Sequence, residues 1–363
     1  MRLGNEDNKS VSVLSHSQRT VFTSLPLVFL SSILFRTPPK KLTALLTGLT
    51  LALATVTAQS ATTLRFGYEA PRSDTQHSAA KKFDELLKEK TKGDIKLSLF
   101  PDSTLGNAQT MISAVRGGTI DIEMSGSPNF SGLVSNLNVI DIPFIFKDKA
   151  HAYRVLDGEI GQGLMKELED KGLKGLAFWE VGFRSITNSK HPIKTPDDVK
   201  GLKIRTNQNP MYVEAFKLLG ANPVPMPLSE LYTALETRAV DAQEHPIGIV
   251  WSTKLYEVQK YLSLTNHGYT PLLVVMNKQK FDSFTPETQQ AILDAAKEAG
   301  AYQRELNAKN EQDILDKFKK AGIEVIEKVD TKPFRDIVEQ PVRQYFIERN
   351  GDTLLKQVDA LAQ

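Results

Sequence analysis

Hydrophobic and polar positions follow two alternating periods along most of the chain. Leu64-Arg65-Phe66 has the two-residue repeat of a short strand, and Ser73, Asp74 or Thr75 can cap the helix behind it. Ala80, Phe83, Leu86 and Leu87 fall on one face of that helix, which the pattern ends at Gly93. Ile95, Leu97 and Leu99 alternate with polar residues as a second strand, and Pro101 to Gly106 is a loop. Met111, Ala114 and Val115 mark a helix stopped by Gly117-Gly118, and Ile120 to Met124 reads as the next strand.

A second unit of the same style begins after Phe183. Leu202 to Arg205 reads as a strand, Asn209-Pro210 opens a helix with proline at its first position, and Gly220 closes it. Ser229 is placed to cap a further helix through Leu231 and Leu235. Ala239 to Ala242 follows as a strand, and Trp251, Leu255 and Val258 mark another helix. Leu272 to Met276 is a continuous apolar strand, as a buried sheet requires. Thr285-Pro286-Glu287 starts a long helical pattern reaching about Lys320, longer than one small lobe needs; Ile323 to Ile326 and a helical tail from Pro333 complete the chain. This rhythm predicts an α/β protein with an open, mainly parallel sheet and two lobes, leaving a crevice where strand ends meet loops.

The N-terminus has a different character. Lys40 and Lys41 precede the apolar run Leu42–Ala54, and Val56-Thr57-Ala58 has the small residues of a cleavage site, so residues 1–58 read as an upstream extension plus a secretory signal peptide. The mature chain is expected to start near Gln59 and to be exported to the periplasm. Farther upstream, Val21–Phe35 is a second apolar run, short of the ~20 residues that span a bilayer. It is read as sequence ahead of the natural start site, the alternative being a membrane anchor.

Composition narrows the chemistry. The 363 residues carry 45 Lys and Arg against 43 Asp and Glu, a formal charge of +2, so no long-range field attracts nucleic acid. There are no cysteines, which excludes disulfides, thiolate nucleophiles and zinc–thiolate sites. Nucleophile elbows, phosphate loops, dinucleotide fingerprints and His-Glu-x-x-His are absent. His77, His151, His191, His245 and His267 are scattered, so neither a metal nor a cofactor is expected.

Arg205 ends a predicted strand and is followed by Thr206-Asn207. A guanidinium there can fork onto a carboxylate in the crevice, with Asn207 adding a donor and an acceptor; the bland alternative is a surface arginine at a strand edge. Arg184 stands at the boundary between units, as a ligand contact or an interlobe ion pair. Trp179 is a pocket wall or simply core. Asp241-Ala242-Gln243-Glu244-His245-Pro246 is polar where a strand ends, so Gln243 and His245 can read hydroxyls, and Glu244 with His245 can form an acid–base pair. Glu69, His77, Asn107 and Ser127 lie near strand ends of the first unit, as ligand contacts or as caps and turn residues.

Several segments together resemble the substrate-binding proteins of tripartite ATP-independent periplasmic (TRAP) transporters. They are Phe100-Pro101-Asp102-Ser103-Thr104-Leu105-Gly106, Gly182-Phe183-Arg184 through Thr187-Asn188-Ser189, Thr195-Pro196-Asp197-Asp198, and Lys200-Gly201-Leu202-Lys203-Ile204-Arg205. Leu219-Gly220-Ala221-Asn222-Pro223 and Tyr256-Glu257-Val258-Gln259-Lys260-Tyr261 complete an ordered series over nearly all of the mature chain. The resemblance implies two α/β lobes joined by crossing strands and a long bridging helix. The expected limits are 59–181 with 270–305 for the first lobe, 182–269 with 306–335 for the second, and a tail over 336–363. It implies a monomeric, non-enzymatic receptor that captures an organic acid on Arg205, with Arg184 as the second interlobe arginine, and passes it to a small and a large membrane subunit. Gly67-Tyr68-Glu69, Asp121 to Ser127 and Gln243-Glu244-His245-Pro246 most resemble the branch that binds 2,3-diketo-L-gulonate, whose relatives bind uronic acids; the sialic-acid branch has an aromatic where this chain has Leu228. A C4-dicarboxylate is the alternative ligand, and an enzyme processing a sugar acid through Glu244 and His245 is the rival from another class.

Overall fold

The computed structural model describes residues 61–362; the signal-peptide and upstream readings fall outside the described residues. Nine strands among them make one sheet: β1 (Thr62–Tyr68), β2 (Ile95–Phe100), β3 (Ile122–Gly126), β4 (Leu173–Asn188), β5 (Lys203–Thr206), β6 (Asn222–Pro225), β7 (Ala242–Pro246), β8 (Tyr261–Asn277) and β9 (Glu324–Ile326). The spatial order is β2-β1-β3-β8-β4-β7-β5-β6, with β9 beside β8.

The expectation of a mainly parallel sheet needs correcting. β1 pairs with β2 and β3 in parallel, as β5 does with β6 and β7, but the centre is antiparallel. β4 and β8 run against each other along most of their length, with register shifts at Gly175/Ala177, Glu180/Gly182 and Arg184/Ile186. One end of β8 pairs with β3 (Leu272–Met276) and the other with β9, while the second half of β4 pairs with β7 (Arg184–Asn188). Two parallel groups are therefore joined by two long crossing strands. Gly182 sits at the middle irregularity with φ +119°, a backbone conformation that side chains rarely tolerate.

One core gathers β1, β3, the helix Thr75–Lys90 and Trp179; another gathers Leu231, Leu235, Val250, Leu262 and Phe318; the largest lies on the remaining faces. The helix Pro286–Lys320, capped by Thr285, is 35 residues and so about 50 Å long. It buries Ile292, Ala295, Ala296 and Ala299 in the first core and Leu315 and Phe318 in the second, bracing both ends of the crossing strands. Its approach to β4 depends on Gly300, where an added Cβ would lie 2.5 Å from the Trp179 ring.

Other local readings shift. Ser229 lies inside the helix Leu228–Glu236, whose cap is Pro227. Trp251 and Leu255 belong to separate turns, Ile247–Ser252 and Leu255–Val258, divided by Lys254 at φ +60°. The Ala239–Ala242 strand begins instead at Ala242 and runs on through Pro246.

Candidate ligand-binding site

Strand ends from both parallel groups converge on a cleft of about 750 Å³ that is partly open to solvent. Six of the residues singled out in the sequence line it: Glu69, Asn107, Arg184, Arg205, Asn207 and His245.

Arg205 comes from β5 and is buried. Its Nε–H and Nη2–H donate to the Met226 carbonyl at 3.0 and 2.6 Å, and Nη1 lies 3.2 Å from His245 Nε2. A guanidinium has one hydrogen on Nε and two on each Nη. One N–H on each Nη is thus left to meet an anion in the cavity. Burial lowers Arg205 to about 10, with Glu244 opposing that shift and Arg184 adding to it, so it remains a cation at neutral pH.

Arg184 lines the same cavity and also forms an ion pair. Its Nε and Nη2 fork onto the Glu244 carboxylate, Nη2 also reaches the Glu244 carbonyl at 2.6 Å, and Nη1 donates to Thr270 Oγ1 at 2.7 Å. The pair is neutral overall. Burial works against the Glu244 carboxylate, but Arg184 and the hydrogen bond from His267 outweigh it and hold Glu244 below its ordinary value.

The acid–base reading of Glu244 and His245 fails on geometry. Consecutive residues of a strand face opposite sides of a sheet. Glu244 turns to Arg184 and His267, whereas His245 turns to Gln243 and Arg205. Burial, then the two arginines, push His245 well below its ordinary value, so it is neutral.

The first group of strands supplies further polar surface. Asn107 caps the helix Ala108–Arg116 by accepting from the Thr110 N–H at 3.0 Å, which leaves its amide hydrogens for the cavity. From the second group, just after β5, Asn207 Oδ1 accepts from the Asn209 N–H, so it too presents donors. Burial raises Glu69 above its ordinary value although the Ala108 N–H and Arg205 oppose this, and Glu69 Oε1 is buried without a partner.

Four candidates lie elsewhere. Trp179 is core: it is fully buried and its indole N–H donates to Ala296 O at 2.7 Å. Ser127 donates to Asp141 Oδ1 at 2.5 Å, and His77 bonds the Tyr68 hydroxyl at 2.6 Å. Gln243 stands behind His245 without reaching the cavity. The wall also contains Gln76, Gln109, Asn129, Gln208 and Thr270, which sequence reasoning missed. The four amides sit on first turns and loops, where the same residue types serve as caps, and Thr270 lies within β8. No cluster of three or more acidic or histidine side chains among the described residues could hold a metal ion.

A cavity at converging strand ends, with a fixed cation and a ring of amides, defines a receptor for a small polar anion. The family model for bacterial extracellular solute-binding proteins, family 7 (DctP), matches residues 66–349, and the chain belongs to that family. It is 59% identical over 311 residues to the 2,3-diketo-L-gulonate-binding periplasmic protein YiaO of Escherichia coli K12, covering 85% of this chain and 95% of YiaO. A TRAP periplasmic solute-binding protein from Polaromonas sp. JS666 bound to D-erythronate matches with TM-score 0.80 and 37% identity, over 82% of this chain and 98% of that one. Another from Roseobacter denitrificans, with bound β-D-glucuronate, matches with TM-score 0.79 and 35% identity, over 82% and 99%.

Proposed function

We propose that the chain is a periplasmic TRAP receptor that captures a sugar acid with one carboxylate, either 2,3-diketo-L-gulonate or a uronate, and passes it unchanged to membrane subunits. The observation that carries this reading is the charge count of the cavity. Arg184 is paired with Glu244 and His245 is neutral, so Arg205 is the cation left to meet the ligand, with Glu69, raised by burial, across the cavity. A second carboxylate on the ligand would meet amides rather than a cation, and stripping it of water would then be costly. Vicinal hydroxyls suit Asn107, Asn207 and the other amides. The ligands named for the relatives, diketogulonate, erythronate and glucuronate, share one acid group and several oxygens. Among the described residues no helix is long and apolar enough to cross a membrane.

In this scheme the carboxylate docks on Arg205 and the two lobes close over the rest of the ligand. A thermal-shift panel of diketogulonate, uronates and C4-dicarboxylates tests the choice. A ligand at a hundred times its dissociation constant adds about 2.7 kcal/mol of stability. The sugar acids should raise the melting temperature, while succinate and malate should not. The opposite order would make the dicarboxylate the ligand. Mass spectrometry of the bound acid should return it unaltered.

A further inference from the structure

Arg205 is the near end of a hydrogen-bond chain whose direction can be read atom by atom. The far end is Gln259, whose Nε2–H donates to its neighbour's Val258 carbonyl at 2.9 Å, so Oε1 must be the atom facing Thr187. The Thr187 hydroxyl has one hydrogen, and it goes to Gln259 Oε1 at 3.0 Å. Its oxygen then accepts from Gln243 Nε2–H at 2.8 Å. This turns Gln243 Oε1, a pure acceptor, toward His245 Nδ1 at 2.6 Å, so Nδ1 must carry the ring hydrogen. His245 Nε2 is left as a lone pair, and it accepts from Arg205 Nη1 at 3.2 Å.

The sheet register makes the chain possible. Thr187 on β4 and Arg205 on β5 both pair with Gln243 on β7, one on either side, and His245 lies two residues along on the same face. All five side chains are buried, so no water can substitute for a link without a further cost.

We propose that Gln243 is a positioning residue: it locks His245 as the neutral Nδ1–H tautomer, so that the imidazole accepts from Arg205 and holds the anion-binding fork in place. The proposal rests on Arg205 being the ligand's anchor. Protonating His245 would set Nε2–H against the Arg205 N–H and bring two cations together. The charged groups near the ring act in the same sense. Arg184 from β4 and Arg205 from β5 both oppose a third positive charge, Glu244 is taken up by Arg184 and His267, and Glu69 lies across the cavity. Anion capture should therefore be insensitive to pH through the range where histidine ordinarily titrates.

The test uses the exported protein labelled with 15N in its histidine rings, the His245 signal being assigned with His245→Asn. The wild-type ring should show the Nδ1–H neutral pattern with no titration between about pH 5.5 and 8.5. In Gln243→Glu a carboxylate faces Nδ1–H and favours the imidazolium, so the ring should titrate, and the dissociation constant for a bound sugar acid should rise about tenfold per pH unit below the new pKa. A wild-type ring that titrates in this window or carries its hydrogen on Nε2 overturns the proposal. So does a Gln243→Glu protein that binds like wild type at every pH. The tautomer measurement needs no ligand, so a wild type that binds none of the acids refutes the proposed function instead, while the ring spectrum still decides this proposal.

Discussion

Arg184 and Glu244 form a buried, bidentate ion pair between the neighbouring strands β4 and β7, at the wall of the cavity that Arg184 lines. The Arg184 guanidinium also lies 5.1 Å from the centre of the Tyr212 ring. Two arginines border the same space, yet this pairing leaves only one of them uncompensated. The selectivity proposed for the site follows from that division.

Glu244→Gln separates the two roles. Removing the carboxylate strands a buried guanidinium, which costs roughly 3–5 kcal/mol, so the free protein should melt well below wild type. The cavity then has two unmatched cations. Binding should swing toward dianions, with succinate gaining affinity relative to glucuronate in calorimetric titrations. If the ratio between the two acids stays put, the charge count does not set selectivity.

A pH effect on stability should be visible at Glu123. This β3 residue is fully buried; Ser125 donates to its Oε1 at 3.2 Å and its Oε2 has no partner. Burial raises it well above its ordinary value of 4.5, against the Ser125 hydrogen bond and with a smaller push from Glu69. The folded protein keeps this proton while the unfolded chain releases it. Wild type therefore loses stability as pH rises from about 4.5, by ~1.4 kcal/mol per unit, until the folded carboxyl ionises. Glu123→Gln escapes that loss. Its melting temperature should gain on wild type as pH rises above 4.5, and a gap that does not change with pH would contradict the assignment.

Ser252 and Asp74 should influence affinity without touching the ligand. The Ser252 hydroxyl, at the end of the helix Ile247–Ser252, donates to Asp74 Oδ2 at 2.7 Å, while Asp74 Oδ1 caps the helix Thr75–Lys90 through the Gln76 N–H. Ile249 and Gln76 from the same two helices line the cavity. If the lobes close on the ligand, this bond forms with closure. Ser252→Ala should weaken binding by about 1 kcal/mol, roughly fivefold, mainly through faster release in stopped-flow measurements. Unchanged release rates would mean that the bond persists in the open form.

How far the sequence carried this picture depended on whether a signal was local. Arg205 was legible because it ends a strand and is followed by polar residues, and the capped helices from Asp74, Asn209 and Thr285 were legible from their first turns. The crossing strand β4 was not. Gly175 and Gly182 interrupt its apolar positions, and Glu180, which is buried and accepts from the Tyr153 hydroxyl, carries no sign of burial in the sequence. His77, Ser127 and Trp179 had the chemistry of ligand contacts, but Tyr68, Asp141 and Ala296 already occupy them. The carbonyl of Met226, which orients Arg205, has no side-chain signature at all.

The most direct measurement is calorimetric titration of the responding sugar acid into wild type and Arg205→Ala, with folding of the variant checked by its melting transition and Arg205→Lys as a second variant. A buried carboxylate left without its cation should lose about 3–5 kcal/mol, so Arg205→Ala should bind at least a hundredfold more weakly. Lysine, which keeps the charge but not the fork, should fall between the two. Affinity within a few-fold of wild type in a folded Arg205→Ala protein would contradict the account.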